Sequence, residues 1–504
     1  MENYAFCNNC KAVVPAKHIE REGKVFVQKN CPKCGLGEYL VSTDAGLYNK
    51  KRDFVGEIKS VKNCKLNCAA CSLHKKPDIV FIDTTNNCNM NCRICLNNVS
   101  SMGFKYEPGI DFFDKIFKYY SAFDPKPYIQ LFGGEPTTRE DIFDIIKLGK
   151  SYGFSMRVVT NGLKLADEKY CDELTKLGVM INFGFDGLNR EMHAKLRGSS
   201  DSLDLKLKAL KNLAKYKRGK VILMTVVDKE FNKNDVADIF RFSFENSHII
   251  RGIYFLPLIH MWDKERLDYN PDRTTLEDVE RMVNNSIQGG NAEFVPLGSF
   301  AFKNIYKILG IRNMPFEGAH PNCESMTYLV SDGERYVSAS NYLRTSLYKI
   351  VGDLRKLEKY LASKYKDNKV GLFGKLDVYR RVLAIAGKHL DFGAVVGAKG
   401  LAAFLRWAGI TGKVMTGRKL KDVLRKDTNL KGTLQLIIFS FEDEKTTESE
   451  RLSMCTSCFA YVDPDTDSIR TFPTCTWERY KKPIMKKIAE KYNKQEFAEK
   501  KQDV

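Results

Sequence analysis

No run of about 18 apolar residues occurs anywhere in this 504-residue chain, so no segment is oily enough for long enough to cross a bilayer as a helix. The opening residues, MENYAFCNNCK, lack the basic-then-apolar pattern of a secretory signal. A chain with neither feature is expected in the cytoplasm, where thiols stay reduced. That excludes a disulfide framework for its 15 cysteines. There is no internal repeat, which excludes a solenoid. The length is too great for one ordinary core and predicts about three folding units.

What is present is cysteine in tight groups. Only Cys171 and Cys323 stand alone. Clustered thiols at fixed short spacing mean metal. Cys7 and Cys10, then Cys31 and Cys34, bracket a hairpin-like stretch, AVVPAKHIEREGKVFVQKN. Two such knuckles set four thiolates around one tetrahedral ion, Zn or Fe. The site serves either as a staple for a unit too small to fold alone or in electron transfer. Cys64, Cys68 and Cys71 form a second group and Cys88, Cys92 and Cys95 a third, both spaced CxxxCxxC. Cys455, Cys458 and Cys475 follow the last apolar stretch, and with Cys323 they make four. Cys171 sits on an amphipathic pattern, KYCDELTKLG, and reads as a buried structural thiol.

From about residue 78 to 260 short apolar stretches alternate with amphipathic ones. DIVFIDTT, YIQLFGG, MRVVTNG, MINFGFDG, KVILMTVV and GIYFLPL read as strands, and GIDFFDKIFKYYSAF and REDIFDIIKLGKSYG as helices between them. This rhythm predicts an α/β fold with a parallel sheet, a partial (β/α)6 TIM-type barrel. The expected division is a metal knuckle at 1–50, a thiol segment at 51–80, the core barrel at 81–265, and a mixed, mostly helical and basic region with the last thiols at 266–504. The tail PIMKKIAEKYNKQEFAEKKQ is expected as an exposed charge-rich helix.

The Cys88–Cys95 triplet directly follows a strand, where ligands of such folds bind. Three thiolates on one loop hold three irons of a 4Fe-4S cubane and leave the fourth open. An open iron can chelate the amino and carboxylate groups of S-adenosyl-L-methionine (SAM). One-electron reduction then yields a 5′-deoxyadenosyl radical that removes hydrogen from unactivated carbon. The next strand ends in Gly133, Gly134, Glu135 and Pro136, whose glycines allow close backbone approach. Thr160-Asn161-Gly162 and Phe185-Asp186-Gly187 end later strands, and Arg197-Gly198 closes the segment.

This set resembles the radical SAM superfamily. The resemblance implies that Gly133–Pro136 binds the methionine part of SAM. It makes Asn161, Asp186 and Thr225 candidates for the ribose and carboxylate, though Asp186 reads equally as a turn residue. A ferredoxin- or flavodoxin-like one-electron donor is the implied partner.

The whole chain is similar to one branch of that superfamily, marked by the N-terminal knuckle, two successive CxxxCxxC motifs, His320-Pro321-Asn322-Cys323 and a final Phe-Pro-Thr-Cys475. The branch includes archaeal tetraether lipid synthases and proteins named as dihydropterin methylases. Thiol spacing points to two auxiliary clusters, one on Cys64, Cys68 and Cys71 and one on Cys323, Cys455, Cys458 and Cys475. The branch usually has a further cysteine near position 78, where this chain reads HKKPDIVF. The fourth ligand of the first auxiliary site is therefore open among Asp78, His74 and a distant cysteine, or one iron stays open for substrate or sulfide; zinc remains an alternative occupant.

The leading expectation is C–C bond formation between alkyl chains of membrane lipids. The alternatives are modification or methylation of a pterin-like small molecule, and peptide maturation. No Asp-x-His-x-x-Gly cobalamin segment and no N-terminal winged-helix peptide-recognition domain is visible. The formal charge of +19 favours an anionic partner or surface. No nucleic acid is expected. Residues 382–416 are apolar, rich in small residues and flanked by basic ones. They read as a peripheral contact with an anionic membrane with Phe404 and Trp407 inserted, as a wall for an alkyl chain, or as a packed helical subdomain.

Overall fold

The computed structural model describes residues 2–56, 64–68, 71, 74, 76–99, 102–259, 272–309, 319–365, 370–416, 418 and 420–493. The first unit is a four-stranded antiparallel sheet of β1 (Asn3–Phe6), β2 (Val13–Arg21), β3 (Lys24–Cys31) and β4 (Gly35–Ser42). Glu22 and Gly23 turn β2 into β3 with positive φ at both positions, the two-residue hairpin turn whose twist matches its strands. The following helix, Ala45–Val55, carries the wholly buried Lys51, whose ammonium meets Glu277 at 2.9 Å and Glu280 at 2.8 Å. This triad fastens the N-terminal unit to the helix Leu276–Ser286 of the main body.

Among the described residues the main body is one 12-stranded sheet. Its centre is the expected series of six parallel strands in sequence order: β5 (Ile79–Asp83), β6 (Tyr128–Phe132), β7 (Met156–Thr160), β8 (Met180–Gly184), β9 (Val221–Val227) and β10 (Ile250–Pro257). Apolar residues of the intervening helices, such as Phe113, Phe117, Ile145 and Leu174, are buried in the core cluster that covers the sheet.

The sheet extends beyond the 81–265 segment. The short β11 (Val295–Pro296), β12 (Glu324–Ser331) and β13 (Tyr336–Ser338) are antiparallel additions. β14 (Gly432–Phe439) then pairs parallel with β10, and β15 (Ser457–Val462) pairs parallel with β5, with β16 (Ile469–Pro473) outside it. The C-terminal region thus lengthens the parallel series at both ends. The chain finishes in a helix, Thr474–Tyr492, that is not simply exposed: Trp477, Met485, Ile488 and Tyr492 are buried in the core. The tail beyond residue 493 lies outside the described residues.

Residues 372–427 form four helices: Leu372–His389, Phe392–Val396, Gly400–Met415 and Leu420–Asp427. Of the two side chains expected at a membrane, Phe404 is 68% exposed. Trp407 instead packs inward, its indole N–H donating to Phe392 O at 3.0 Å. Among the described residues no helix is long and apolar enough to cross a membrane.

Candidate active site

Successive side chains of a strand point to opposite faces, and one face of the parallel series encloses a cavity of about 270 Å³. Phe81 from β5, Gln130 from β6, Met224 from β9, Tyr254 from β10, Phe439 from β14 and Phe459 from β15 all line it. So do Cys88, Cys92 and Cys95 and, from the C-terminal region, Cys323, Cys455 and Cys475. Two thiol triplets far apart in sequence therefore share one chamber.

The Cys88–Cys95 loop leaves β5 through Thr84 and Thr85 and is held against the end of β6. Gly134 N donates to Thr85 O at 2.7 Å and Glu135 N to Asn87 O at 2.8 Å. A Cβ at Gly134 would come within 2.2 Å of Asn87 O, and one at Gly133, where φ is +128°, within 2.5 Å of Thr85 O. Only glycine permits this approach. Arg139, fully buried, secures the base of the loop by donating to Thr84 O at 2.6 Å and Pro108 O at 2.9 Å.

Glu135 is buried and its carboxylate is already engaged. It accepts from Thr137 N and Oγ1 and from Thr160 Oγ1 and Asn161 N at 2.6–3.1 Å. It clamps the end of β6 to the end of β7, and Gly133, Gly134 and Glu135 all line the chamber. Pro136 is buried at the start of the short helical turn Pro136–Thr138. Asn161 lines the chamber, with its side-chain N–H donating to Asn89 Oδ1 at 2.7 Å and lying 4.0 Å from Cys88 Sγ.

Asp186 and Thr225 do not line the chamber. Thr225 lies between the inward Met224 and Val226, so its side chain faces the other way, wholly buried, and donates to Phe185 O at 2.8 Å. Asp186 pairs with Arg197 through both oxygens, at 2.5 and 2.9 Å, and accepts from Val226 N. Burial opposes ionisation of Asp186, but Arg197 outweighs it and holds the carboxyl below its ordinary value. Arg197 also meets the Cys92 thiol and lines the chamber. Asp186 is thus a positioning group for an arginine that sequence reasoning noted only as a segment end.

The three thiols fit an iron–sulfur cluster. Burial pushes the Cys88 thiol up to about 12 and raises that of Cys95 as well, so without metal these groups stay protonated and inert. Iron is what draws off their protons. At the N-terminus the four sulfurs of Cys7, Cys10, Cys31 and Cys34 lie within 4.8 Å of one another, which suits a single tetrahedral ion. Each knuckle ends on a left-handed residue, Lys11 and Gly35.

Sequence reasoning missed Trp477, Lys481 and Arg451. Trp477 lines the chamber and donates to Asp83, and Lys481 reaches Asn97 beside the triplet. Arg451 is buried and donates to Cys323 Sγ at 3.2 Å. None belongs to a spaced motif. Cys458, grouped by sequence with Cys323, Cys455 and Cys475, is fully buried and does not line the chamber.

Residues 82–243 match the Radical SAM superfamily and residues 2–43 the HMPTM N-terminal zinc ribbon domain. The chain belongs to the radical SAM superfamily, and is an enzyme of the class that cleaves SAM reductively. It is 31% identical over 387 residues to the 7,8-dihydro-6-hydroxymethylpterin dimethyltransferase of Methanocaldococcus jannaschii, covering 73% of this chain and 75% of that protein. It is also 31% identical over 126 residues to the probable GTP 3′,8-cyclase of Thermococcus kodakarensis, covering 25% of this chain and 40% of that one. Among solved structures, Streptococcus suis SuiB bound to S-adenosylmethionine aligns over 55% of this chain and 68% of its own with a TM-score of 0.34 and 14% identity.

Proposed function

We propose that the enzyme removes hydrogen from alkyl carbon and joins alkyl chains of membrane lipids. The observation that carries this reading is the lining of the chamber beside the triplet, which includes Phe81, Phe132, Met224, Leu256, Phe439 and Phe459. Such walls bind alkyl chains by burial, at about 0.8 kcal/mol per methylene removed from water, and exclude water from a radical.

When bound, the cluster on Cys88, Cys92 and Cys95 supplies one-electron cleavage of SAM to the 5′-deoxyadenosyl radical. The chain's own groups bind and orient. Gly133 and Gly134 bring backbone to the methionine side of SAM, and Arg197, fixed by Asp186, sets a cation beside Cys92. One SAM is consumed for each hydrogen removed.

A surface left exposed among the described residues supports lipid access. Phe373, Leu376, Tyr379 and Leu383 are 87%, 55%, 48% and 70% exposed along one helix, and Leu401, Phe404 and Leu405 are 72%, 68% and 60% exposed along another. Lys375, Arg380, Lys388, Lys399 and Arg406 are exposed around them. Apolar faces rimmed by cations suit the surface of an anionic membrane.

A second reading, modification of a pterin-like heterocycle, has its own observation besides the name of the Methanocaldococcus relative. Arg157 Nε, Asn182 Oδ1 and Glu324 Oε2 are buried without hydrogen-bond partners among the described residues, and all three residues line the chamber. Burial, with Asp78 adding, pushes Glu324 up to about 8. Donors and acceptors so placed suit the edge of a polar ring.

The deciding experiment is anaerobic. Reconstituted full-length enzyme is given SAM and dithionite with either membrane lipid extract or 7,8-dihydro-6-hydroxymethylpterin. Lipid is expected to stimulate 5′-deoxyadenosine formation, and deuterium from deuterated alkyl chains to enter it. No stimulation by lipid overturns the first reading, and stimulation by the pterin alone establishes the second.

A further inference from the structure

The cysteines around β15 fall on two sides of one strand. Ser457 and Phe459 face the chamber, so Cys458 between them points to the opposite face. It pairs with Val80 of β5 and Pro473 of β16, and no part of it is exposed. Its register partner Pro473 accepts from Thr476 Oγ1 at 3.1 Å. The helix Thr474–Tyr492 divides the same two spaces. Cys475 and Glu478 line the chamber, whereas Thr476 Oγ1 donates to Cys68 Sγ at 3.7 Å and the Tyr480 hydroxyl to Leu66 O at 3.5 Å.

A second buried polar group lies on the same side of β15. Tyr120, from the helix Ile110–Ser121 packed on β15, is wholly buried, and its hydroxyl has no hydrogen-bond partner among the described residues. A buried O–H without an acceptor is costly.

The other three thiols of that group share the chamber side: Cys323, Cys455 and Cys475 all line it. Glu442 N donates to Cys475 Sγ at 3.4 Å, and Arg451 Nε donates to Cys323 Sγ.

We infer that Cys458 is the fourth ligand of the iron–sulfur site formed by Cys64, Cys68 and Cys71, and that Cys323, Cys455 and Cys475 form a separate three-thiol site whose open coordination faces the chamber. The first site, with four thiolates, would serve electron transfer only. The second could bind a substrate group directly, across the chamber from SAM. The inference rests on the radical SAM reading for the nature of the metal, but not on the identity of the substrate.

The test uses full-length protein reconstituted anaerobically with iron and sulfide and needs no substrate. In a background with Cys88, Cys92, Cys95, Cys323, Cys455 and Cys475 all changed to Ala, one four-iron cluster is expected to remain and to resist mild ferricyanide. Adding Cys458→Ala is expected to produce the spin-one-half EPR signal of a three-iron cluster. A background whose cluster resists oxidation equally well after Cys458→Ala overturns the assignment. So does one in which Asp78→Ala or His74→Ala, but not Cys458→Ala, produces the signal. In the complementary background, with Cys64, Cys68, Cys71, Cys88, Cys92 and Cys95 changed to Ala, carbon-13 cyanide is expected to show hyperfine coupling to the remaining cluster, with or without Cys458. Loss of that cluster on Cys458→Ala overturns the assignment as well. Far-UV circular dichroism and retention of metal at Cys7–Cys34 verify folding, and Cys458→Ser supplies a near-isosteric second variant.

Discussion

Trp477 donates its indole N–H to Asp83 at 2.6 Å, across 394 residues of sequence. Asp83 ends β5, immediately before the loop of the Cys88 triplet, and Trp477 opens the last helix, stacked on Phe459 and Tyr461. One hydrogen bond thus joins the first strand of the parallel series to the end of the chain. Trp477→Phe keeps the stacking and leaves Asp83 with the weaker donor Asn97 Nδ2 at 3.2 Å. A loss of about 1–3 kcal/mol is expected, read by urea unfolding, together with faster loss of iron from the triplet on exposure to chelator.

The buried Asp186–Arg197 pair makes a harsher test. Arg197→Met strands a buried carboxylate and is expected to cost about 3–5 kcal/mol. The double variant Asp186→Asn/Arg197→Met is expected to be more stable than the single change, by chemical denaturation. If the pair serves only stability, SAM cleavage returns in the double variant. The contact of Arg197 with Cys92 predicts that it does not, and that the EPR change normally caused by SAM is weakened.

His193 supplies a pH dependence with a definite sign. It is 2% exposed, and burial, with Lys206 and Arg197 nearby, pushes it down to about 4, against the opposing effect of Asp186. The unfolded chain takes up its proton near pH 6.5, whereas the folded chain does so only near 4. Stability from this group is therefore present above about pH 6.5 and is lost as the pH falls toward 4. His193→Gln is expected to flatten that part of the profile of melting temperature against pH.

The apolar faces at Phe373–Leu383 and Leu401–Leu405 predict flotation with vesicles. Wild-type protein is expected to float with vesicles containing anionic lipid and to be released by salt. Leu383→Glu/Phe404→Glu is expected to lose flotation while keeping its iron content. Equal flotation of both proteins, or of neither, removes the membrane from the proposed function.

The six central strands were legible because each is a short apolar run ending in a turn motif, as in YIQLFGG and MRVVTNG. The hairpin and the four-thiol knuckle were legible from spacing alone. β14 was legible as a strand, but its place beside β10 was not, and β15 and β16 were not read at all. SCFAYV is six residues long, and what makes it a strand is pairing with β5, a contact that no local pattern encodes. The same limit explains the thiols. Spacing collected Cys455 and Cys458 into one group, while strand alternation sends only one of them to the chamber. It also explains Thr225, whose neighbours took the inward positions.

The placement of β14 and β15 at opposite ends of the six-strand series bears on how the enzyme is made. When the ribosome has completed β10, the core has its six strands but two bare edges, and several of the thiols it needs have yet to be synthesised. Bare parallel edges invite wrong partners, and pairings between distant segments form slowly. Residues 432–475, which hold β14, β15 and β16, therefore act as a delayed closure: they cover both edges and deliver Cys455, Cys458 and Cys475 in the same step. Chains cut short before β14 are expected to aggregate rather than persist as a smaller enzyme, and the sites that need Cys455, Cys458 and Cys475 are expected to load only after those residues are made.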